Sequence, residues 1–178
     1  MIEILEDKDF DEMFDIMCSS FPAEERRSYK EQKALLSNPK FTIYVMRNEE
    51  AIMGFITLWR LDGFDFIDHF AVNPIFRNKG VGAKLLRELA VQRDGRLCLE
   101  VETPESEIAE RRIHFYERNG FYLNRYPYTM PPMSEGKPPV PMLIMTSGGE
   151  ITEDEFETVK NELYREVYHN TISGLTKC

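Results

Sequence analysis

The feature that most limits what this chain can become is a succession of strand-like runs with no helix between them. "FTIYVMR" (41–47), "AIMGFITLWRL" (51–61) and "FDFIDHFAV" (64–72) follow one another, the first two joined across Asn48-Glu49-Glu50. The runs are rich in β-branched and aromatic residues, and the last stops at Pro74. "MIEIL" adds a short strand at the start, and "RLCLEV", "FYLNRY" and "PMLIMTS" add others downstream.

Helical patterns surround these runs. Phe10, Met13, Phe14 and Met17 recur at helical spacing after Asp9. Ser20 and Pro22 predict the start of a second helix over "AEERRSYKEQKALL", which Asn38-Pro39 ends. Val81, Leu85, Leu86 and Leu89 share one face of a helix over 80–93. Thr103-Pro104 predicts a cap and first residue for a helix reaching Asn119, with Gly120 ending it. Thr152 and Glu155 form a capping box ahead of Phe156, Val159, Leu163 and Val167, which predicts a C-terminal helix over about 152–168. Six prolines between 127 and 141 predict a long loop. The expected fold class is α/β (α+β): a single mixed, largely antiparallel sheet flanked by helices. One domain is expected over 1–178, its core at about 1–147, with the C-terminal helix as an addition.

Charge narrows the function. The formal net charge of -9 counts against nucleic acid and anionic membranes as partners and suits a cationic acceptor. The region 77–88 runs the other way, with Arg77, Lys79, Lys84 and Arg87 against Glu88 alone. The longest apolar runs are too short to cross a bilayer, and "MIEILEDKDF" lacks the pattern of a leader. Cys18, Cys98 and Cys178 have no metal-ligand spacing. A cytoplasmic protein without a metal is expected.

The basic island contains two glycines at the mouth of a helix. Gly80 and Gly82 let a ligand approach the backbone. The first N–H groups of a helix have no internal partner, and the helix dipole adds positive character there. With Arg77, Asn78, Lys79 and Val81 they predict a phosphate site. The P-loop pattern is absent, and a dinucleotide fingerprint would need a small residue where Leu85 stands.

Arg77-Asn78-Lys79-Gly80-Val81-Gly82, led in by "HFAVNPIF" and followed later by "FYERNGF", resembles the GNAT superfamily of N-acetyltransferases. Its pyrophosphate loop reads R/Q-x-x-G-x-G/A. The resemblance is strongest from Phe41 to Tyr122. It implies a GNAT-like acyl-CoA N-acyltransferase fold and acetyl-CoA as co-substrate. Residues 77–82 would take the pyrophosphate, the backbone of Phe70, Ala71 and Val72 the pantetheine arm, and the Val72 N–H the oxyanion. Tyr116 would contact the cofactor and protonate the leaving thiolate. One departure stands out: members of the family often carry Asn seven residues, and Ala four residues, before the tyrosine. Here those positions are Ala109 and Arg112, so a hydrogen bond from helix to cofactor is missing or replaced.

The amine must lose a proton to attack a thioester. Strand alternation places Asp68 with Phe66, Phe70 and Val72, and makes it the expected base, acting through water. The same alternation points His69 to the opposite face, as a packed histidine. Glu100 and Glu102 share a strand face and either bind a cationic acceptor or are ordinary solvated carboxylates. Tyr126 and Tyr128 stand at the proline-rich stretch and either wall the acceptor pocket or belong to a surface loop. Cys98, inside an apolar strand with no basic neighbour, reads as inert, which favours direct transfer.

Two function classes follow. One is an N-acetyltransferase moving acetyl from acetyl-CoA to a primary amine on a small molecule or peptide. The other is a non-catalytic acyl-CoA-binding sensor, which needs no Tyr116 and no base. The extra C-terminal helix either caps the sheet or pairs two subunits as a homodimer.

Overall fold

A computed structural model describes residues 1–168. The strands are β1 (Glu3–Ile4), β2 (Phe41–Arg47), β3 (Ile52–Arg60), β4 (Phe64–Val72), β5 (Arg96–Glu102), β6 (Phe121–Met130) and β7 (Val140–Ser147). They form one mixed sheet in the order β1-β2-β3-β4-β5-β7-β6. The helices are α1 (Phe10–Ser20), α2 (Tyr29–Ala34), α3 (Val81–Gln92), α4 (Glu107–Glu117) and α5 (Glu153–Glu166). Contacts gather the chain into two compact units, 1–60 with 65–95, and 61–64 with the residues from 96 on.

In the first unit β1 to β4 pair antiparallel in chain order. Facing residues in such a ladder lie on the same side of the sheet. Gly54, Ile56 and Leu58 therefore look one way, and Phe55, Thr57 and Trp59 the other. α3 lies on the Gly54 side, close enough that a Cβ at Gly54 would meet Leu85 Cδ1 and the Ala71 carbonyl oxygen, each at 2.8 Å. Its buried face is Val81, Leu85, Leu86 and Leu89.

The β3–β4 register then slips. Thr57 faces His69, but Leu58 faces Ile67, so Asp68 is an extra residue on β4. This bulge inverts the alternation on either side of it. Phe66 and His69 share the Trp59–Thr57 side, while Ile67, Phe70 and Val72 share the Leu58–Gly54 side. The Asp68 carboxylate accepts from Trp59 Nε1 at 3.0 Å, on the Trp59 side. The expectation that Asp68 lies with Phe70 and Val72 is corrected by the bulge; His69 lies opposite Phe70 and Val72, as expected.

Three boundaries also differ from expectation. α2 begins at Tyr29, because Ser28 accepts from the Glu31 N–H and Glu31 reaches back to Ser28. Residues 23–25 make only a 3₁₀ turn, and Arg26 is extended (φ -139°, ψ 153°). α4 begins at Glu107, with Ser106 accepting from the Ala109 N–H at 3.2 Å, rather than at Thr103-Pro104. The proline-rich stretch is shorter than expected, since β6 runs to Met130 and β7 starts at Val140. Pro127 is tolerated inside β6 because that strand is at the sheet's edge and its register shifts between Asn124 and Tyr128.

In the second unit β7 pairs antiparallel with both β5 and β6. Leu99, Val101, Met145, Leu123 and Phe121 line one face, and α4 covers it, with the Tyr116 ring 5.7 Å from Phe121. Glu100, Glu102, Ile144, Met142, Asn124 and Tyr128 line the other. α5 covers that side, with Phe156, Val159 and Leu163 buried. Its capping box is formed by Thr152 and Glu155, as expected.

Candidate functional site

The turn from β4 into α3 leaves backbone N–H groups without a helical partner. A 3₁₀ turn at Pro74–Phe76 ends β4, and residues 77–80 are exposed. Asn78 (φ 61°) and Gly80 (φ 77°) are left-handed, a conformation that glycine adopts without cost and asparagine more readily than most. Gly80 is the N-cap of α3 and no side chain caps the helix there. The first helical bond is Lys84 N–H to the Gly80 carbonyl, 3.1 Å, so the N–H groups of Val81, Gly82 and Ala83 lie ahead of the helical ladder. Lys79 Nζ donates to the Ile75 carbonyl at 3.2 Å. Arg77 Nε donates to the Val72 carbonyl at 3.2 Å.

The end of β4 turns backbone groups away from β3. The Asn73 N–H donates to the Met53 carbonyl of the β3 side at 3.0 Å. Antiparallel pairing alternates, so the Val72 N–H points away from β3, as does the carbonyl that Arg77 holds.

Asp68, the expected base, is engaged in structure instead. Its side chain is fully buried (0% exposed) and meets Arg27 Nη1 at 2.6 Å. His69 Nδ1 is 3.5 Å from its other oxygen. Burial pushes the carboxyl up, but Arg27, His69 and Trp59 outweigh it and hold it well below the usual carboxylate range. A carboxylate so held is a poor proton acceptor. His69 Nε2 lies 2.9 Å from the Glu25 carbonyl, and Phe21 packs edge-on to the ring. Asp68 and His69 thus anchor the 21–27 segment onto the strand. Arg27 carries no signal of its own in the sequence; the only hint was a pair of arginines after a proline in an acidic chain.

In the second unit Tyr116 is buried on α4, and burial pushes its phenol up to about 12, with Arg112 opposing. It remains protonated at neutral pH, as a proton donor must. Arg112, the departure from the family pattern, pairs with Glu102 at 2.7 Å. Glu100 has two phenol partners: Tyr128, and Tyr168 Oη at 2.6 Å. Burial, with Glu100 next, pushes the Tyr128 phenol well up. Tyr126 donates to the Ile151 carbonyl at 3.3 Å and packs on Phe156 at 4.9 Å, so it supports the start of α5. Tyr168 was missed by sequence reasoning, although it continues the helical spacing of Tyr164 on α5. Cys98 is buried and its thiol is pushed up, above all by burial. Among the described residues no group of side chains suits a metal ion, and no helix is long and apolar enough to cross a membrane.

A central strand running into an uncapped, glycine-led helix beside basic residues defines the class: an α/β protein built around a strand–loop–helix. The chain belongs to the GNAT family of acetyltransferases. Residues 39–123 match the acetyltransferase (GNAT) domain. A protein of Bacteroides thetaiotaomicron assigned to GNAT acetyltransferases is 33% identical, over 95% of this chain and 98% of that one, with a TM-score of 0.88. The fold is shared more distantly with the ribosomal-protein-S18-alanine N-acetyltransferase of Escherichia coli (18% identity, 86% and 96% covered, TM-score 0.62). It is also shared with an aminoglycoside 6'-N-acetyltransferase complexed with coenzyme A (16% identity, 83% and 96% covered, TM-score 0.59). No curated protein matches the sequence.

Proposed function

We propose that this protein transfers the acetyl group of acetyl-CoA directly to a primary amine. The observation that carries the reading is the uncapped N-terminus of α3, entered through left-handed Gly80. In this reading the pyrophosphate takes the N–H groups at 81–83, with Arg77, Asn78 and Lys79 around it. The backbone of Phe70, Ala71 and Val72 receives the pantetheine arm as an added strand, through the Phe70 and Val72 groups that turn away from β3. Arg77 then exchanges its bond to the Val72 carbonyl for phosphate.

The amine nitrogen attacks the thioester carbon, and the carbonyl oxygen gains charge as the tetrahedral intermediate forms. The Val72 N–H, directed away from β3, stabilises that oxygen. The C–S bond then breaks, Tyr116 donates its phenol proton to the leaving sulfur, and the proton that the amine nitrogen releases passes to water, from which the phenolate is reprotonated. Asp68 takes the supporting role its ion pair gives it, holding the 21–27 segment. Cys98, with its thiol kept protonated, takes no acetyl group, so transfer is direct.

Thiol release from acetyl-CoA across a panel of primary amines, with the acetylated product identified by mass, tests the proposal. Amine-dependent release is expected. Acetyl-CoA binding without release for any amine would favour the sensor reading instead.

A further inference from the structure

β6 is the last strand of the sheet, so its outer side has no neighbouring strand among the described residues. An unpaired edge is a template for another strand, and folded chains usually blunt it. The opposite edge, β1, is blunted by its length of two residues. The second half of β6 is blunted by Pro127, which has no N–H, and by the register shift between Asn124 and Tyr128. The first half has no such device: Phe121 to Asn124 pair in unbroken register with Ser147 to Ile144 of β7. Along it runs a groove of about 340 Å³, lined by Glu117, Phe121, Tyr122, Leu123, Arg125 and Glu150. Its three charged side chains are exposed, and none of them makes an ion pair among the described residues. Tyr126 packs on Phe156 beneath α5, so Arg125 turns to the other side, where Phe121, Leu123 and α4 lie. Glu117 is the last residue of α4.

We propose that the first half of β6 pairs with the same strand of a second copy, about a two-fold axis at Leu123, and joins two sheets into one. The inference stands apart from the acetyltransferase reading. A two-fold axis perpendicular to an antiparallel pair sets residues of the same face opposite one another. Centred on Leu123, it brings Arg125 opposite Phe121 of the second copy, beside the end of that copy's α4. There Glu117 and the last carbonyls of the helix supply negative charge for the guanidinium. The symmetry repeats the contact, so each copy gives one Arg125 and receives one. Charges that line a single groove yet stay unpaired within the chain are thereby paired across the axis. Tyr122, an exposed aromatic on the opposite face, falls opposite residue 124 of the second copy and is covered. The chain's own groove carries both halves of the pairing, which is why the occupant is a second copy rather than a foreign strand.

The test is the mass of the whole protein by light scattering across a dilution series. Wild type should be a dimer when concentrated, and should dissociate on dilution more readily in high salt, which screens exposed charges. Arg125→Glu and Glu117→Arg each set like charges against one another twice per dimer, and each should raise the dissociation constant about tenfold or more. Both positions are exposed, and circular dichroism checks that the variants fold. An equimolar mixture of the two variants should form a dimer again. The introduced glutamate of one then meets the introduced arginine of the other, and Glu117 of the first still meets Arg125 of the second. A wild type that stays monomeric when concentrated to the millimolar range would overturn the proposal. So would a dimer indifferent to both substitutions, which would place the interface elsewhere, or a mixture that stays monomeric.

Discussion

Arg27 and Asp68, 41 positions apart, meet at 2.6 Å with side chains 7% and 0% exposed. Their ion pair fastens the segment between α1 and α2 to the bulge of β4. Breaking such a buried pair typically costs ~3–5 kcal/mol, whereas replacing both partners by apolar residues of similar volume is often neutral. Asp68→Ala should therefore lower the unfolding free energy by about that amount, and Arg27→Met with Asp68→Leu should recover most of it. Denaturant melts decide the point; a double variant no better than the single one would give the charges a further role.

The same pair sets an acid response. The Asp68 carboxyl is lowered in the folded protein because Arg27, His69 and Trp59 outweigh the effect of burial. Its stabilisation is fully present above the unfolded-state pKa of about 4 and is lost as pH falls toward the folded value. Thermal midpoints between about pH 5 and about pH 2 should fall less steeply in Asp68→Asn than in wild type. Parallel slopes would mean that other carboxylates dominate acid unfolding.

Gly54 tests the packing that places α3. A Cβ there would lie 2.8 Å from both the Ala71 carbonyl oxygen and Leu85 Cδ1, and the backbone oxygen cannot swing aside. Gly54→Ala should cost ~1–3 kcal/mol and weaken acetyl-CoA binding by moving α3 from β4. A variant as stable as wild type would show that the strands yield more easily than this contact implies.

Much of this architecture was legible in the sequence. "FTIYVMR" and "FDFIDHFAV" coincide with β2 and β4, because β-branched and aromatic runs between turn residues have few other uses. The Thr152–Glu155 box marked α5 because its two bonds are local. The glycine-led turn before α3 was equally visible. What escaped depends on pairing across the chain. The bulge at Asp68 leaves no local signature, so a strict two-residue period put its carboxylate on the wrong side and made it a base. Arg27, drawn out to Asp68, delays the start of α2 to Tyr29, capped by Ser28. Pro127 argued for a loop until the edge position of β6 made room for it. Tyr168 acquires its meaning only through Glu100, 68 residues away.

Tyr116 is protonated throughout the ordinary assay range, its phenol pushed up to about 12. Tyr116→Phe should leave acetyl-CoA affinity within a few-fold. It should slow the chemical step toward the lower end of the ~10²–10⁴ that general acids contribute, since a thiolate of pKa near ~8.5 leaves fairly well unaided. Single-turnover rates at saturating acetyl-CoA isolate that step. In wild type no alkaline loss of rate assignable to Tyr116 should be seen below about pH 10. Wild-type speed in the variant would return Tyr116 to the role of a packed aromatic.

The most direct measurement of the central claim is the calorimetric affinity of acetyl-CoA for wild type and Gly82→Val. Gly82 is the second residue of α3, among the N–H groups that precede the helical ladder. A branched side chain there intrudes where phosphate oxygens would meet the backbone, and Gly82, unlike Gly80, is not left-handed, so valine can adopt its conformation. The account predicts a fall in affinity of about tenfold or more, ~1.4 kcal/mol, with a nearly unchanged melting temperature. A folded variant that binds acetyl-CoA as tightly as wild type would contradict it and place the phosphates elsewhere.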